Sequence, residues 1–324
     1  MSTRSVLSVL LLLPALLIVV WHVSNYAATT GRLGRDAEWW LAAGERLNAG
    51  HGLYELQPGD RPVPADPPFH TAPLIWPPTI AVIWAPLAAL PSELGVAIWM
   101  AAVWITLGVV LTWLAIRVGF LVPLAATALS IGIAWEVELG NVNAFILAAS
   151  VLVVAKPQWG AVLAGVLAAV KVTPLALVAW LVVRSPRSHG VVAVTALALS
   201  ALVTVAVAGP DAVAGYLRTM SETIPLRNSV AGIAFTEGFV SPAGARAISL
   251  GLTVACLVVI LLLRRRRWLS FGVALVAMTL ASPAVHLSTL VILLAAFTPL
   301  VYESPDDVQR LFRLGRGSAD HSRA

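Results

Sequence analysis

Long apolar runs fill this sequence, and their number and length leave few folds open. Such runs lie near residues 5–22, 76–90, 95–116, 120–136, 143–155, 158–183, 190–208, 246–263, 268–281 and 285–301. A helix crossing the bilayer core takes about 20 apolar residues, and fewer where it is broken or tucked inside a bundle. In lipid every backbone polar group must be satisfied within the protein, so runs of this kind cross as helices. Composition removes the soluble alternative: 59% of the 324 residues are hydrophobic and 11% are charged, whereas a soluble domain carries roughly a quarter charged. The expectation is an all-α polytopic membrane protein, a bundle of about 10–11 transmembrane helices.

The net charge of +5 is not a nucleic-acid footprint. The arginines sit mostly between apolar runs, with Arg264, Arg265, Arg266 and Arg267 in one block, the pattern that marks cytoplasmic loops. Arg184 and Arg187 read as inside for the same reason, residues 209–245 as an outside loop, Ser282–His286 as outside again, and the polar tail 303–324 as cytoplasmic. The first run, behind Arg4, reads as a span with its N-terminus inside. It lacks the small-x-small cleavage site of a signal peptide. The 158–183 run holds Lys171 and Pro174 and reads either as one helix or as a hairpin of two. The lone cysteine, Cys256, lies in an apolar stretch and reads as a small core residue. Residues 1–302 form one transmembrane module.

Two loops are long enough to carry structure, about 23–75 and 209–245. The first holds six acids, four arginines and two histidines, and a connection of that length is uncommon unless it is functional. Within it, Asp36 to Asn48 has helical spacing, with Trp40, Ala43 and Leu47 on one side. This predicts an amphipathic helix at the membrane interface.

Polar residues at or within the membrane are functional candidates by default. Asp36 falls where the chain returns to the membrane surface; partial desolvation there makes a carboxylate basic enough to take a proton from a sugar hydroxyl. Its plainer reading is a helix N-cap. Glu136, Glu138, Asn141 and Asn143 flank Gly140, and a polar turn accounts for them equally. Lys171, one of two lysines, calls for an anionic partner: Glu136, Glu138 or a ligand. His286 opens the last run and has a structural reading too. One candidate base with several candidate phosphate holders (Lys171, His286 and loop arginines such as Arg35) suits transfer from a lipid phosphate, where the leaving group needs charge neutralisation and the attacking hydroxyl needs a base. No phosphate-binding glycine-rich loop, metal-ligand cluster or Ser-His-Asp arrangement is recognisable.

Five segments, taken in order, resemble a known family. They are Asp36-Ala-Glu-Trp-Trp-Leu-Ala-Ala-Gly with Gly50-His-Gly-Leu-Tyr54; Phe69 to Pro78, with Trp76-Pro-Pro and then Ala85-Pro-Leu87; Gly140-Asn-Val-Asn143; Lys171-Val-Thr-Pro174; and Ser282-Pro-Ala-Val-His286. The set is similar to the polyprenol-phosphate-mannose-dependent α-1,2-mannosyltransferases of actinobacteria, glycosyltransferase family 87, with the GT-C membrane fold. That resemblance implies an inverting transferase in the plasma membrane with its active site on the extracytoplasmic side. It would move mannose from a polyprenyl-phosphate donor to a glycolipid or lipoglycan acceptor, without a metal or other cofactor. Asp36 would be the base, with His286, Lys171 and Arg35 toward the donor phosphate. Asn141, Asn143 and the aromatics Tyr54 and Trp76 would border the substrates. The chain departs from the pattern in three ways. It is short, Asn141 stands for the usual Gln, and an aromatic position near Asp36 is Trp instead of Tyr. These bear on the acceptor and the sugar, so another polyprenyl-phosphate sugar such as arabinose remains a second reading. A lipid or sugar transporter is a third, though the internal symmetry it calls for is not evident.

Overall fold

The computed structural model describes residues 3–55, 74–185, 187–222, 229–280 and 287–302. Among these residues the chain is helical, with no strand. In order the helices are α1 (Thr3–Leu10), α2 (Leu13–Thr30), α3 (Arg35–Asn48), α4 (Thr79–Ala88), α5 (Ser92–Val118), α6 (Leu121–Ala128), α7 (Ser130–Leu139), α8 (Asn143–Ala155), α9 (Pro157–Val170), α10 (Leu175–Arg184), α11 (His189–Ala208), α12 (Pro210–Glu222), α13 (Val230–Thr236), α14 (Pro242–Leu262) and α15 (Arg267–Leu280). A 3₁₀ helix, Leu287–Val301, closes the described chain. The expected tail, 303–324, lies outside the described residues.

Each expected apolar run is helical, but the runs are not equal. Among the described residues four helices are long and apolar enough to cross a bilayer: α1 with α2 as one 28-residue unit, α5, α11 and α14. The pair α6–α7, bent by 64°, makes a fifth if counted as one span. The remaining apolar helices are shorter, at 10–17 residues. The long helices bury only 11–28% of their most apolar windows, so their side chains face lipid. The short ones α8, α9 and α10 are buried along most of their length. Lipid offers no hydrophobic drive for helices to pair, and close van der Waals packing between small residues takes its place. Gly165 of α9, set against Ala193 and Ala196 of α11, is one such contact.

Breaks in the interior helices have local causes. Pro174 has no N–H to continue a helix, and it disfavours helical backbone in the residue before it. Accordingly α9 ends at Val170, Lys171 is extended (φ −145°, ψ 129°), and α10 starts after Pro174. The 158–183 run is therefore two helices. At the other end of this hairpin, Pro157 starts α9 and Arg184 ends α10. The Arg184 guanidinium donates to the Arg264 carbonyl at 3.3 Å, so the two arginine-bearing loops assigned to the same side do meet.

The first-loop helix falls where the spacing placed it, as α3. Its burial goes beyond that of a helix lying on a surface: Trp39, Trp40, Leu41, Ala42, Ala43, Gly44 and Arg46 are all buried. The cause is its neighbours. α4 crosses it so closely that a Cβ on Gly44 would lie 2.9 Å from the Trp84 backbone, and the Asn48 amide donates to Ala85 O at 2.8 Å. The two long loops also touch, with the Tyr54 and Tyr216 rings 6.2 Å apart and Arg218 3.5 Å from Glu55.

Because Trp84 meets Gly44 with backbone and cannot retreat, Gly44→Val is expected to cost about 1–3 kcal/mol. Gly251 on lipid-facing α14 has no neighbour within 4 Å of an added Cβ. Thermal unfolding in detergent should therefore show a lowered midpoint for Gly44→Val and none for Gly251→Ala.

Candidate functional site

The α7–α8 turn is built by Gly140. As the residue ending α7 it takes a left-handed conformation (φ 67°), which glycine adopts without steric cost. Its N–H caps the Glu136 and Val137 carbonyls, and the Trp99 indole donates to its carbonyl at 2.7 Å. A Cβ here would also lie 2.7 Å from Met100 Sδ and 3.4 Å from the Gly34 Cα. The two glycines thus let the start of α3 rest on the α7–α8 turn, and the Gly34 N–H donates to Glu138 O at 2.7 Å. That single contact carries Asp36 to Asn141 across 105 residues of sequence.

There the side chains form one chain of hydrogen bonds. Asn141 Nδ2 donates to Asp36 Oδ2 at 2.5 Å. Lys171 Nζ donates to Asn141 Oδ1 at 3.3 Å and to Asn143 Oδ1 at 2.8 Å. Asn143 Nδ2 donates in turn to Glu136 Oε2 at 2.8 Å and to Ser288 Oγ at 3.3 Å. Glu136 Oε1 also accepts the Ala144 N–H, at 2.8 Å, in the first turn of α8. Two carboxylates are thus joined to one ammonium through two amides, each turning its oxygen to the lysine and its nitrogen to an acid. Glu136 and Asn143 are fully buried, whereas Asp36 and Lys171 keep partial exposure.

Several readings of single residues change. Asp36 is not an N-cap: Gly34 holds that position and the Asp36 carboxylate points to Asn141. Lys171 pairs directly with neither Glu136 nor Glu138, since amide oxygens hold its ammonium. Glu138 instead meets His22 Nδ1 at 2.5 Å. Asp36, Asn141, Asn143 and Lys171, singled out separately in the sequence, come together, with Arg35 beside Asp36. Tyr54 and Trp76 do not join this chain. The buried Tyr54 hydroxyl donates to the Trp76 carbonyl at 2.7 Å, which makes it a brace within the first loop and the entry to α4. The Trp76 ring lies against Trp39 and Trp40 at 5.2 and 5.5 Å, edge to face, and so borders α3. His286 lies outside the described residues.

Sequence reasoning named Glu136 as a membrane polar candidate and a possible partner of Lys171, and missed His22 and Ser288 altogether. A carboxylate in an apolar run was a signal for Glu136. His22 and Ser288 carry none, because only the packing of α2 and the closing 3₁₀ helix on α7 and α8 brings them in.

Burial raises the Asp36 carboxyl from the ordinary range to about 6, against the opposing pull of the Lys171 and Arg35 charges and of the Asn141 hydrogen bond. Its Oδ2 is held by Asn141, and no hydrogen bond to Oδ1 is present among the described residues. A largely buried carboxylate with one oxygen anchored and a raised proton affinity has the properties of a general base. Among the described residues no group of His, Cys, Asp and Glu is arranged to hold a metal ion.

A family model, Glycosyltransferase family 87, matches residues 74–283. The match takes in Asn141, Asn143, Lys171 and Glu136 and begins after α3, so the place of Asp36 rests on geometry. No curated protein and no solved structure matches the chain.

Replacing Glu136 by Leu would leave the Ala144 N–H buried without its side-chain acceptor and the Asn143 amide with only its longer bond to Ser288 Oγ. A loss of about 1–3 kcal/mol per orphaned group is expected. It should be read as a lowered thermal midpoint in detergent, with Glu136→Gln milder because its amide oxygen still accepts from Ala144.

Proposed function

The chain belongs to glycosyltransferase family 87, and from that premise we propose that it is an inverting transferase using a polyprenyl-phosphate sugar. The donor is mannosyl phosphopolyprenol, the acceptor is a glycolipid or lipoglycan, and the product is an α-1,2-mannoside made on the extracytoplasmic side of the plasma membrane. The observation that carries the reading is the Asp36 carboxylate, anchored through Oδ2 by Asn141 and, among the described residues, without a hydrogen bond at Oδ1.

In the proposed step an acceptor hydroxyl oxygen attacks the anomeric carbon as the bond from that carbon to the phosphate oxygen breaks. Asp36 Oδ1 takes the hydroxyl proton, and the lipid phosphate leaves with the bonding electron pair. The Lys171 charge, one amide away, favours the ionised base without capping it in a direct ion pair. Arg35 and His286 are the groups assigned to the departing phosphate, where fixed positive charge stabilises the transition state. Trp76, packed on α3, is assigned to the border of the sugar subsite.

The proposed orientation is supported by the lengths of α8, α9 and α10. Each starts or ends beside the Asn141–Lys171 network and runs to the end of the bundle where Arg184 meets Arg264. The positive-inside rule gives the arginine end to the cytoplasm, and hence Asp36 to the opposite face.

Asp36→Asn should lower transfer by about 10²–10⁴-fold, the range for loss of a general base, with the protein still folded by thermal unfolding. The assay is transfer from radiolabelled mannosyl phosphopolyprenol to extracted glycolipids in membranes. Full activity of Asp36→Asn would sink the mechanism, and transfer from another labelled polyprenyl-phosphate sugar alone would replace mannose. The base acts ionised, so activity should fall as pH drops through about 6. Lys171 lowers the Asp36 pKa; its loss in Lys171→Met must therefore move that acid limb to higher pH.

A further inference from the structure

A second cluster of charge lies at the other end of the short helices, and the transfer reaction makes no use of it. A cavity of about 400 Å³ opens between the start of α9, the end of α10 and the starts of α11 and α15. Arg184, His189 and Arg267 line it together with Trp180, Leu181 and Pro157. Among the described lining residues none is acidic. Its distance from Asp36 follows from helix length. α8 runs 13 residues from Asn143 to Ala155 and α9 14 residues from Pro157 to Val170. At 1.5 Å per residue the cavity and the network therefore stand about 20 Å apart.

Three features of the cavity converge on one ligand chemistry. Two guanidiniums supply positive charge, and with the imidazole they offer several hydrogen-bond donors, the arrangement suited to a phosphate group. Three helices, α9, α11 and α15, begin at its wall with Pro157, His189 and Arg267. Their first-turn N–H groups and dipoles add to the positive field. Val153, Pro157, Trp180, Leu181 and Ser185 form the rest of the wall. Trp180 and Leu181 are buried behind it, and Trp180 is fixed there by donating to Ser270 Oγ at 3.0 Å. Arg267 is held over the Trp268 ring at 4.2 Å. A free phosphate would gain nothing from the apolar side, whereas a lipid presents a phosphate and a glycerol-ester region together.

We propose that this cavity is a binding site for the phosphate headgroup of an anionic membrane lipid, on the face of the bundle opposite Asp36. Arg184, His189 and Arg267 hold the phosphodiester, and the half-buried Pro157 meets the glycerol-ester region. The site is separate from the donor and acceptor subsites, and the lipid bound there is not consumed. Its effect is on the hairpin: it ties the end of α10 to the starts of α11 and α15, and α10 begins just beyond Lys171.

The test uses the full chain in nanodiscs of phosphatidylglycerol or phosphatidylcholine, with retained lipid counted by native mass spectrometry after extraction into detergent. Wild type should retain phosphatidylglycerol over phosphatidylcholine by about tenfold, the scale expected of two arginines near one anionic headgroup. The preference should vanish in Arg184→Gln/Arg267→Gln and persist in Arg184→Lys/Arg267→Lys, which keeps the charge. A higher thermal midpoint in phosphatidylglycerol than in phosphatidylcholine, present in wild type and absent from the Gln pair, reads the same site without extraction. Equal retention of both lipids by wild type overturns the proposal. So does a preference that survives in a folded Gln pair, or retention abolished by millimolar inorganic phosphate, which would mark a site for a free anion.

Discussion

Everything at the Asp36 end of this bundle depends on keeping two carboxylates and one ammonium together in a place poor in water. A direct ion pair in such surroundings often fails to repay its desolvation, and removing one partner leaves an uncompensated charge. This chain uses a different arrangement, with an asparagine between the lysine and each acid. An amide can do this because it donates at one end and accepts at the other. The lysine still attracts both acids, but its field reaches Asp36 diluted by distance. Burial therefore still holds the Asp36 carboxyl above the ordinary range, and among the described residues Asn141 is the side chain that holds its Oδ2. Glu136, fully buried and satisfied by Asn143 and the Ala144 N–H, anchors the far end.

The backbone around the network meets the same electrostatic demand. Glu136 sits against the N-terminus of α8 and accepts one of its orphan N–H groups, while Lys171 follows the C-terminus of α9. Each charge lies at the helix end whose dipole favours it. Gly140 and Pro174 create those helix ends inside the bundle, and without the two breaks α7–α8 and α9–α10 would be continuous spans with no free N–H or C=O to offer. The short helices are thus the condition for the site, and the long, poorly buried helices outside them supply the lipid-facing wall.

Much of this was legible in the sequence, unevenly. The membrane class followed from composition and the apolar runs. α3 was placed to within a residue at its start by helical spacing, and Asp36, Asn141, Asn143 and Lys171 stood out because polar residues are rare beside such runs. Their joining was not legible, since nothing local connects Asp36 to a residue 105 positions away; it rests on two glycines whose Cα atoms must nearly touch. The burial of α3 escaped for a related reason. Periodicity reports one apolar face, while α4 and α5 cover the helix on further sides through Gly44 and the tryptophans. Tyr54 and Trp76 stood out as aromatic residues of a long loop, but the bond from the Tyr54 hydroxyl to the Trp76 carbonyl was not legible, since 22 residues separate them.

The hairpin of α9 and α10 gives the two ends of the molecule a common part. One end of it presents Lys171 to the amides that fix Asp36, and the other presents Pro157 and Arg184 to the basic cavity. Pro174 removes the hydrogen bond that would have made the hairpin a single rod, so the position of Lys171 is set by how α9 and α10 pack on α8, α11 and α15. Small residues make that packing tight at Gly165 against α11, while the polar tie between Trp180 and Ser270 fixes α10 to α15. A close-packed interior transmits displacement because it has little free volume to absorb it. A change in spacing among the arginine ends therefore reaches Lys171 through two rigid helices about 15–20 Å long, and with it a charge that opposes the effect of burial on Asp36.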